Sequence, residues 1–125
     1  MPVNCPFCNP EPARILLENE VGITICDGFP VSNGHSLVIS RRHVTSLFDL
    51  TADEQAALWR LVAKVRANLM AELHPAGFNI GVNDGQAAGQ TVAHAHIHVI
   101  PRYSGDVADP RGGIRWVVPD KARYW

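Results

Sequence analysis

Three histidines, His94, His96 and His98, stand two residues apart in the run Gly89-Gln90-Thr91-Val92-Ala93-His94-Ala95-His96-Ile97-His98-Val99-Ile100-Pro101-Arg102. Imidazole offers two kinds of chemistry near neutral pH. Its neutral nitrogen ligates a transition metal, or it attacks an electrophile while neighbouring groups orient the ring. A period of two is the period of a β-strand, and Ile97 and Val99 favour strands. On a strand the three imidazoles share one face. Ala93, Ala95, Ile97 and Val99 make the other, which reads as core. A helix would scatter the rings around its circumference. Pro101 is expected to end the strand. A merely solvated face would not gather three of the chain's six histidines into five positions. An expression tag would not interleave them with core residues.

Cys5-Pro6-Phe7-Cys8 is a second pattern. The N-terminus has neither a basic start nor an apolar stretch, so a cytoplasmic location is expected. There, Cys-x-x-Cys reads as a metal half-site or a redox pair rather than a structural disulfide. A zinc site needs two more ligands, and histidines are natural candidates. Cys26 lies in an apolar run and reads as a small core residue. A third pattern is the loop Asn83-Asp84-Gly85-Gln86-Ala87-Ala88-Gly89-Gln90-Thr91. Gly85 and Gly89 let backbone approach a ligand and present N–H groups to an anion, and Gln90 and Thr91 add uncharged donors.

The His-x-His-x-His run, followed by two apolar residues and preceded by Gly89-Gln90-Thr91, resembles the signature of the histidine triad (HIT) nucleotide-binding proteins. The loop from Asn83 to Thr91 resembles that family's phosphate loop. The resemblance covers roughly residues 5 to 118 and implies most of the expected function. By it, the chain is a nucleotide hydrolase or nucleotidyl transferase acting at the α-phosphate of a purine (adenine) nucleotide or dinucleoside polyphosphate. His96 attacks the phosphorus and forms a covalent nucleotidyl-histidine that water hydrolyses. A backbone carbonyl, that of His94, holds its other nitrogen. His98 and His35 flank the phosphate, and Gly89, Gln90, Thr91 and Asn83 contact phosphate, leaving group or ribose. Asp27, eight positions before His35, binds the ribose hydroxyls. Many bacterial-type members begin with a similar Cys-x-x-Cys, and the resemblance implies a structural zinc held by Cys5, Cys8, His43 and His94. His94 is then an anchor rather than a catalyst. Pro101-Arg102 resembles the Fhit-type and bacterial branches more than the phosphoramidase branch, which favours dinucleoside polyphosphates. A homodimer is implied, and no organic cofactor. Two alternatives stay open. One is a zinc-dependent hydrolase with the triad as ligands, although no Asp or Glu lies within the triad. The other is a nucleotide-binding sensor with little turnover.

The elements that must position these residues form one domain. The 125 residues suffice for a real core, and 46% apolar with 18% charged content describes an ordinary soluble globule. A net charge of −1 excludes bulk electrostatic binding to nucleic acid or acidic membranes, and no apolar run approaches the ~20 residues of a membrane span. Strands are expected over 21–27, 35–40 and 78–83, with a short strand or helical turn at 15–18 and a helical turn at 46–50. Thr51-Ala52-Asp53-Glu54 matches a capping box. Leu58, Leu61, Val62, Val65, Leu69 and Leu73 then give the apolar stripe of one long helix, broadened by Ala56, Trp59 and Met70 and ended by His74-Pro75 and Gly77. Ile25, Phe29 and Pro30 are candidates to sandwich the base. Residues 114–118 read as a last edge strand. The segment 1–13 carries the cysteine pair. The tail 119–125, with Tyr124 and Trp125, is expected to pack on a partner subunit. The expected fold is α+β: an antiparallel, roughly five-stranded sheet with one long helix across it.

Overall fold

A computed structural model describes residues 4–125. Strands β1 (Leu17–Glu18), β2 (Gly22–Cys26), β3 (Ser36–Ser40), β4 (Gly77–Gly81) and β5 (His96–Arg102) make one antiparallel sheet in the order β1-β2-β3-β5-β4. Helix α1 (Ala52–Leu73) packs across it, and a short α2 (Pro119–Ala122) closes the chain. The expected α+β sheet and helix are present. Among the described residues, no helix is long and apolar enough to cross a membrane.

Helix α1 begins where its capping box forms. Thr51 Oγ1 accepts from the Glu54 N–H at 3.1 Å, and Glu54 Oε1 accepts from the Thr51 N–H at 2.8 Å. The same carboxylate pairs with Arg42 at 2.7 Å. These partners hold the Glu54 carboxyl down at about 2. The helix ends at His74, which takes the left-handed conformation at φ 50° before Pro75. Leu58, Leu61, Val62, Val65 and Leu69 lie buried against Val38, Ala95, Ile97 and Val99. The stripe is narrower than expected: Trp59 and Met70 are exposed, and Ala57 is buried where Ala56 is not. One step along a helix turns a side chain by about 100°, which carries Trp59 and Met70 off the seam that Leu58 and Leu69 occupy.

The opposite face of the sheet holds a second, smaller cluster of Ile23, Ile25, Leu37 and Ile39, covered by Phe7 and Ile15. His96 pairs with Ile39 and His98 with Leu37, so both imidazoles share that face, while Ile97 pairs with Val38 toward α1. The period of two therefore holds along β5. The strand starts only at His96, however, and His94 sits in the bend before it. Ala95 N–H donates to the Val44 carbonyl at 2.7 Å, which draws this stretch away from a straight strand. Pro101 does not end β5 either. It pairs with Phe78 of β4 alone, because the β3 ladder stops at Val99, so its missing N–H costs at most one ladder bond.

Two further expectations are corrected. Cys26 is exposed, as the last residue of β2 beyond the covered part of the sheet. Residues 114–118 form no strand: Gly113–Val117 is a 3-10 turn. Gly112 and Gly113 hold φ at 95° and 49°, and Pro119 starts α2 directly afterwards. Arg115 then bonds the carbonyls of Ala122 and Lys121, and Arg111 stacks over Trp125 at 4.4 Å. The tail thus folds on residues 111–116 of its own chain.

Gly22 packs where β2 passes under α1. A Cβ there would lie 2.5 Å from Leu58 Cδ1 and 3.2 Å from Leu61 Cδ2. Gly22→Ala should therefore destabilise the fold by about 1–3 kcal/mol, read as a lower urea midpoint at unchanged m-value.

Candidate functional site

His94 is fully buried and sits at the junction of two clusters. Its Nε2–H donates to the Ser40 carbonyl at 2.7 Å, which leaves the lone pair on Nδ1. That nitrogen faces Cys5 Sγ at 3.3 Å, Cys8 Sγ at 3.6 Å and His43 Nδ1 at 3.1 Å, and His43 Nδ1 is 3.0 Å from Cys8 Sγ. Four ligand atoms from the N-terminal segment, the end of β3 and the bend before β5 thus lie within 4.8 Å of one another. Zinc held by two thiolates and two imidazoles puts S and N ligands about 3.5 Å apart. The donor set and spacings fit that ion. The carbonyl that fixes the His94 tautomer is the outer partner metal-binding histidines usually have.

The backbone carbonyl of His94 also accepts from His96 Nδ1–H at 2.7 Å. The lone pair of His96 is therefore on Nε2. Its ring lines a cavity of about 560 Å³. Next along the strand face, His98 belongs to a chain of hydrogen bonds. Val31 N–H donates to His35 Nδ1 at 3.1 Å, and His35 Nε2–H donates to His98 Nδ1 at 3.0 Å. His98 is left with its proton on Nε2, as a donor beside His96, with ring centroids 5.2 Å apart. Asp27 Oδ2 lies 3.3 Å from His35 Nε2 and 3.9 Å from His98 Nδ1, while Oδ1 accepts from Phe29 N–H at 2.8 Å. Asp27, His35 and His98 have the composition of a metal site, but His35 Nε2 carries the proton that the Val31 bond dictates. This group is a hydrogen-bond chain.

Burial holds both rings below the ordinary imidazole range. For His98 the neighbouring His96 and His35 add to the effect and Asp27 opposes it. For His35 only Asp27 opposes burial. Two of the imidazoles that border the cavity, His35 and His98, are thus neutral at neutral pH.

The structure brings Asp27, His35, Asn83, Gly89, Gln90, Thr91, His96 and His98 to the wall of one cavity, and sets Cys5, Cys8, His43 and His94 together behind it. The three triad imidazoles do not converge on one point, because His94 and His98 turn their Nδ1 atoms into different clusters. Gln90 is at the wall, but its amide is used within the loop. Its oxygen accepts from Gly85 N–H at 2.9 Å, and its nitrogen donates to the carbonyls of Thr45 and Val92. Of the base-sandwich candidates, Ile25 and Phe29 line the cavity, Phe29 at 90% exposure, and Pro30 does not. Sequence reasoning missed Pro6, Phe7 and Arg14 in the wall. The signal for the first two was available: they lie between two ligands of a cluster that includes a triad histidine.

Fold and site define a small α+β protein with an aimed imidazole over a ligand-sized cavity. Residues 9–105 match the model of the HIT domain, and the chain belongs to that family. A HIT-like protein of Mycoplasma pneumoniae is 41% identical over 105 residues, covering 80% of this chain and 72% of that one. An Arabidopsis thaliana protein named bifunctional bis(5'-adenosyl)-triphosphatase/adenylylsulfatase FHIT is 35% identical over 96 residues, 77% of this chain and 53% of that one. The crystal structure of a Zn-bound histidine triad family protein from Mycobacterium smegmatis superposes with a TM-score of 0.76 at 36% identity, covering 85% of this chain and 80% of that one. The cysteine pair and the C-terminal arm fall outside the matched residues.

Cys8→Ala removes one of the two clustered thiols without adding bulk. The purified protein should carry about one equivalent of zinc and the variant almost none, measured by atomic absorption after dialysis against metal-free buffer.

Proposed function

We propose that this protein cleaves or transfers a nucleotidyl group at the α-phosphate of a purine nucleotide or dinucleoside polyphosphate, through a covalent nucleotidyl-His96. The observation that carries this reading is the hydrogen bond from His96 Nδ1–H to the His94 carbonyl, which leaves Nε2 as a free base on the cavity wall. A neutral nucleophile approaches an anionic phosphorus without charge repulsion. As Nε2 bonds to phosphorus, the leaving-group oxygen departs with the electron pair of the P–O bond. The ring becomes cationic, and its Nδ1–H bond to the carbonyl strengthens. His98 Nε2–H donates to the phosphate oxygens, on which charge accumulates. Water then attacks the same phosphorus, the P–Nε2 bond breaks with its electron pair returning to the now neutral ring, and the water's proton passes to solvent as the nucleotide leaves.

Asp27 accepts from the ribose hydroxyls with the lone pairs that Phe29 N–H and His35 leave open. Asn83, Gly89 and Thr91 contact phosphate or leaving group, and Gln90 holds the loop in shape. Zinc at Cys5, Cys8, His43 and His94 is structural, with no ligand position left for substrate. The name of the Arabidopsis relative supports an adenine dinucleotide or adenylyl anhydride as substrate. A homodimer fits the edge position of β4, where Phe78 and Ile80 are only half buried, and the exposed Trp59 and Met70 of α1. Three free thiols fit a cytoplasmic location.

The first test is a single turnover with α-phosphate-labelled adenine dinucleotide. Wild type should hold acid-labile, base-stable label, and His96→Asn none, with turnover lower by roughly 10³-fold or more. Turnover without labelled protein, retained in His96→Asn, overturns the covalent route; tight binding with no turnover makes the chain a sensor.

In an NMR pH titration the ring signals of His35 and His98 should move with midpoints below 6.5, the ordinary imidazole value. A lowered imidazole stays neutral further into acid. Asp27 is the one group that raises His35, so Asp27→Asn should move the His35 midpoint to still lower pH in the same titration.

A further inference from the structure

The Cys5–Cys8 segment brings more than two thiols. Between them, Pro6 and Phe7 form part of the nucleotide cavity's wall. The Phe7 ring meets the His96 ring edge-to-face, with centroids 5.0 Å apart and planes at 70°, and meets His94 at 6.1 Å and 77°. On its other side it packs on the Ile23, Ile25, Leu37 and Ile39 cluster. The segment pairs with no strand. Its internal tie is a long Cys8 N–H bond to the Cys5 carbonyl at 3.4 Å, and the first strand begins only at Leu17. The position of Phe7 is therefore set by the two cysteines that flank it together with its packing on that cluster.

His96 needs such a neighbour. One hydrogen bond at Nδ1 fixes its tautomer but leaves the ring free to swing about that bond. His98 stands on one side, 5.2 Å away at 64°, and Phe7 adds a second contact. We propose that Phe7 is a positioning residue through which the Cys5, Cys8, His43 and His94 centre sets the nucleophile. With the four ligands drawn together, Phe7 is held edge-on to His96, so that Nε2 faces the cavity and Pro6 completes the wall. When the cysteines separate, Phe7 leaves, the cavity opens and the His96 ring swings. The inference rests on the metal and nucleotide readings above.

A double-mutant cycle tests it with Phe7→Ala, Cys8→Ala and the pair, read by zinc content, by AMP affinity in calorimetry and by the imidazole nitrogen signals of His96 in NMR. Phe7→Ala should keep its zinc, weaken AMP binding about tenfold or more and broaden the His96 signals. Cys8→Ala should lose zinc and show the same two losses, and the double variant should be no worse than Cys8→Ala alone. Phe7→Leu, which preserves bulk for folding, should lose the sharp His96 signals while retaining zinc. Unchanged AMP affinity in Phe7→Ala, or losses that multiply in the double variant while wild type is zinc-loaded, overturns the coupling and leaves the metal reading standing. A wild type that binds AMP but takes up no zinc overturns the metal reading and the coupling with it. Failure of wild type to bind AMP does the same for the nucleotide reading.

Discussion

The hydrogen bond from His94 Nε2–H to the Ser40 carbonyl, 2.7 Å long and buried, decides most of what this protein can do. It chooses a tautomer, and the tautomer sends the lone pair toward Cys5, Cys8 and His43. With the ring pinned to the end of β3, the carbonyl of the same residue is in place to take the proton of His96. One residue thus ties the cluster of Cys5, Cys8 and His43 to the His96 imidazole, by its ring on one side and its backbone on the other. In a low-dielectric interior such bonds are strong and their absence is costly, so the His94 and His96 rings are fixed together.

The same device recurs with opposite sense. At His96 a backbone oxygen takes the proton and leaves a base; at His35 a backbone N–H fills the lone pair and leaves a donor, which His35 passes to His98. Base and donor stand side by side on the strand because both occupy the even positions of β5. Its odd positions, Ile97 and Val99, are spent against α1. The faces divide the labour. The helix supplies the large core, and a short apolar cluster under the N-terminal segment supports the imidazoles.

Much of this was legible in the residues. The two-residue period placed His96 and His98 on one face, the Thr51–Glu54 pattern placed the start of α1, and the family resemblance drew Cys5, Cys8, His43 and His94 together. What was not legible depends on contacts that a local pattern cannot carry. The period of two does not reveal that Val44 bends the chain and puts His94 outside the strand. An apolar Trp59 in a helix reads as core until the arc of the seam is known. Ile114 to Val118 has the composition of a strand, but two glycines with positive φ and a proline break it. Pro6 and Phe7 stood unremarked between two ligands, because a ligand pattern draws attention to its fixed positions. Gln90 read as a phosphate donor, while its amide is engaged with three backbone groups of its own loop and its neighbours.

The place of β5 in the sheet has a further consequence. It is flanked by β3 and β4, so its amides cannot open without parting the sheet, whereas residues 5–8 pair with no strand and peel away by lifting Phe7 off the smaller cluster. Such a molecule has two tiers of local stability. In hydrogen exchange the strand carrying His96 and His98 will report the global unfolding free energy, and the cysteine segment a much smaller one. The His96 and His98 imidazoles belong to the tier that rarely fluctuates, and the Phe7 ring that touches His96 belongs to the tier that does.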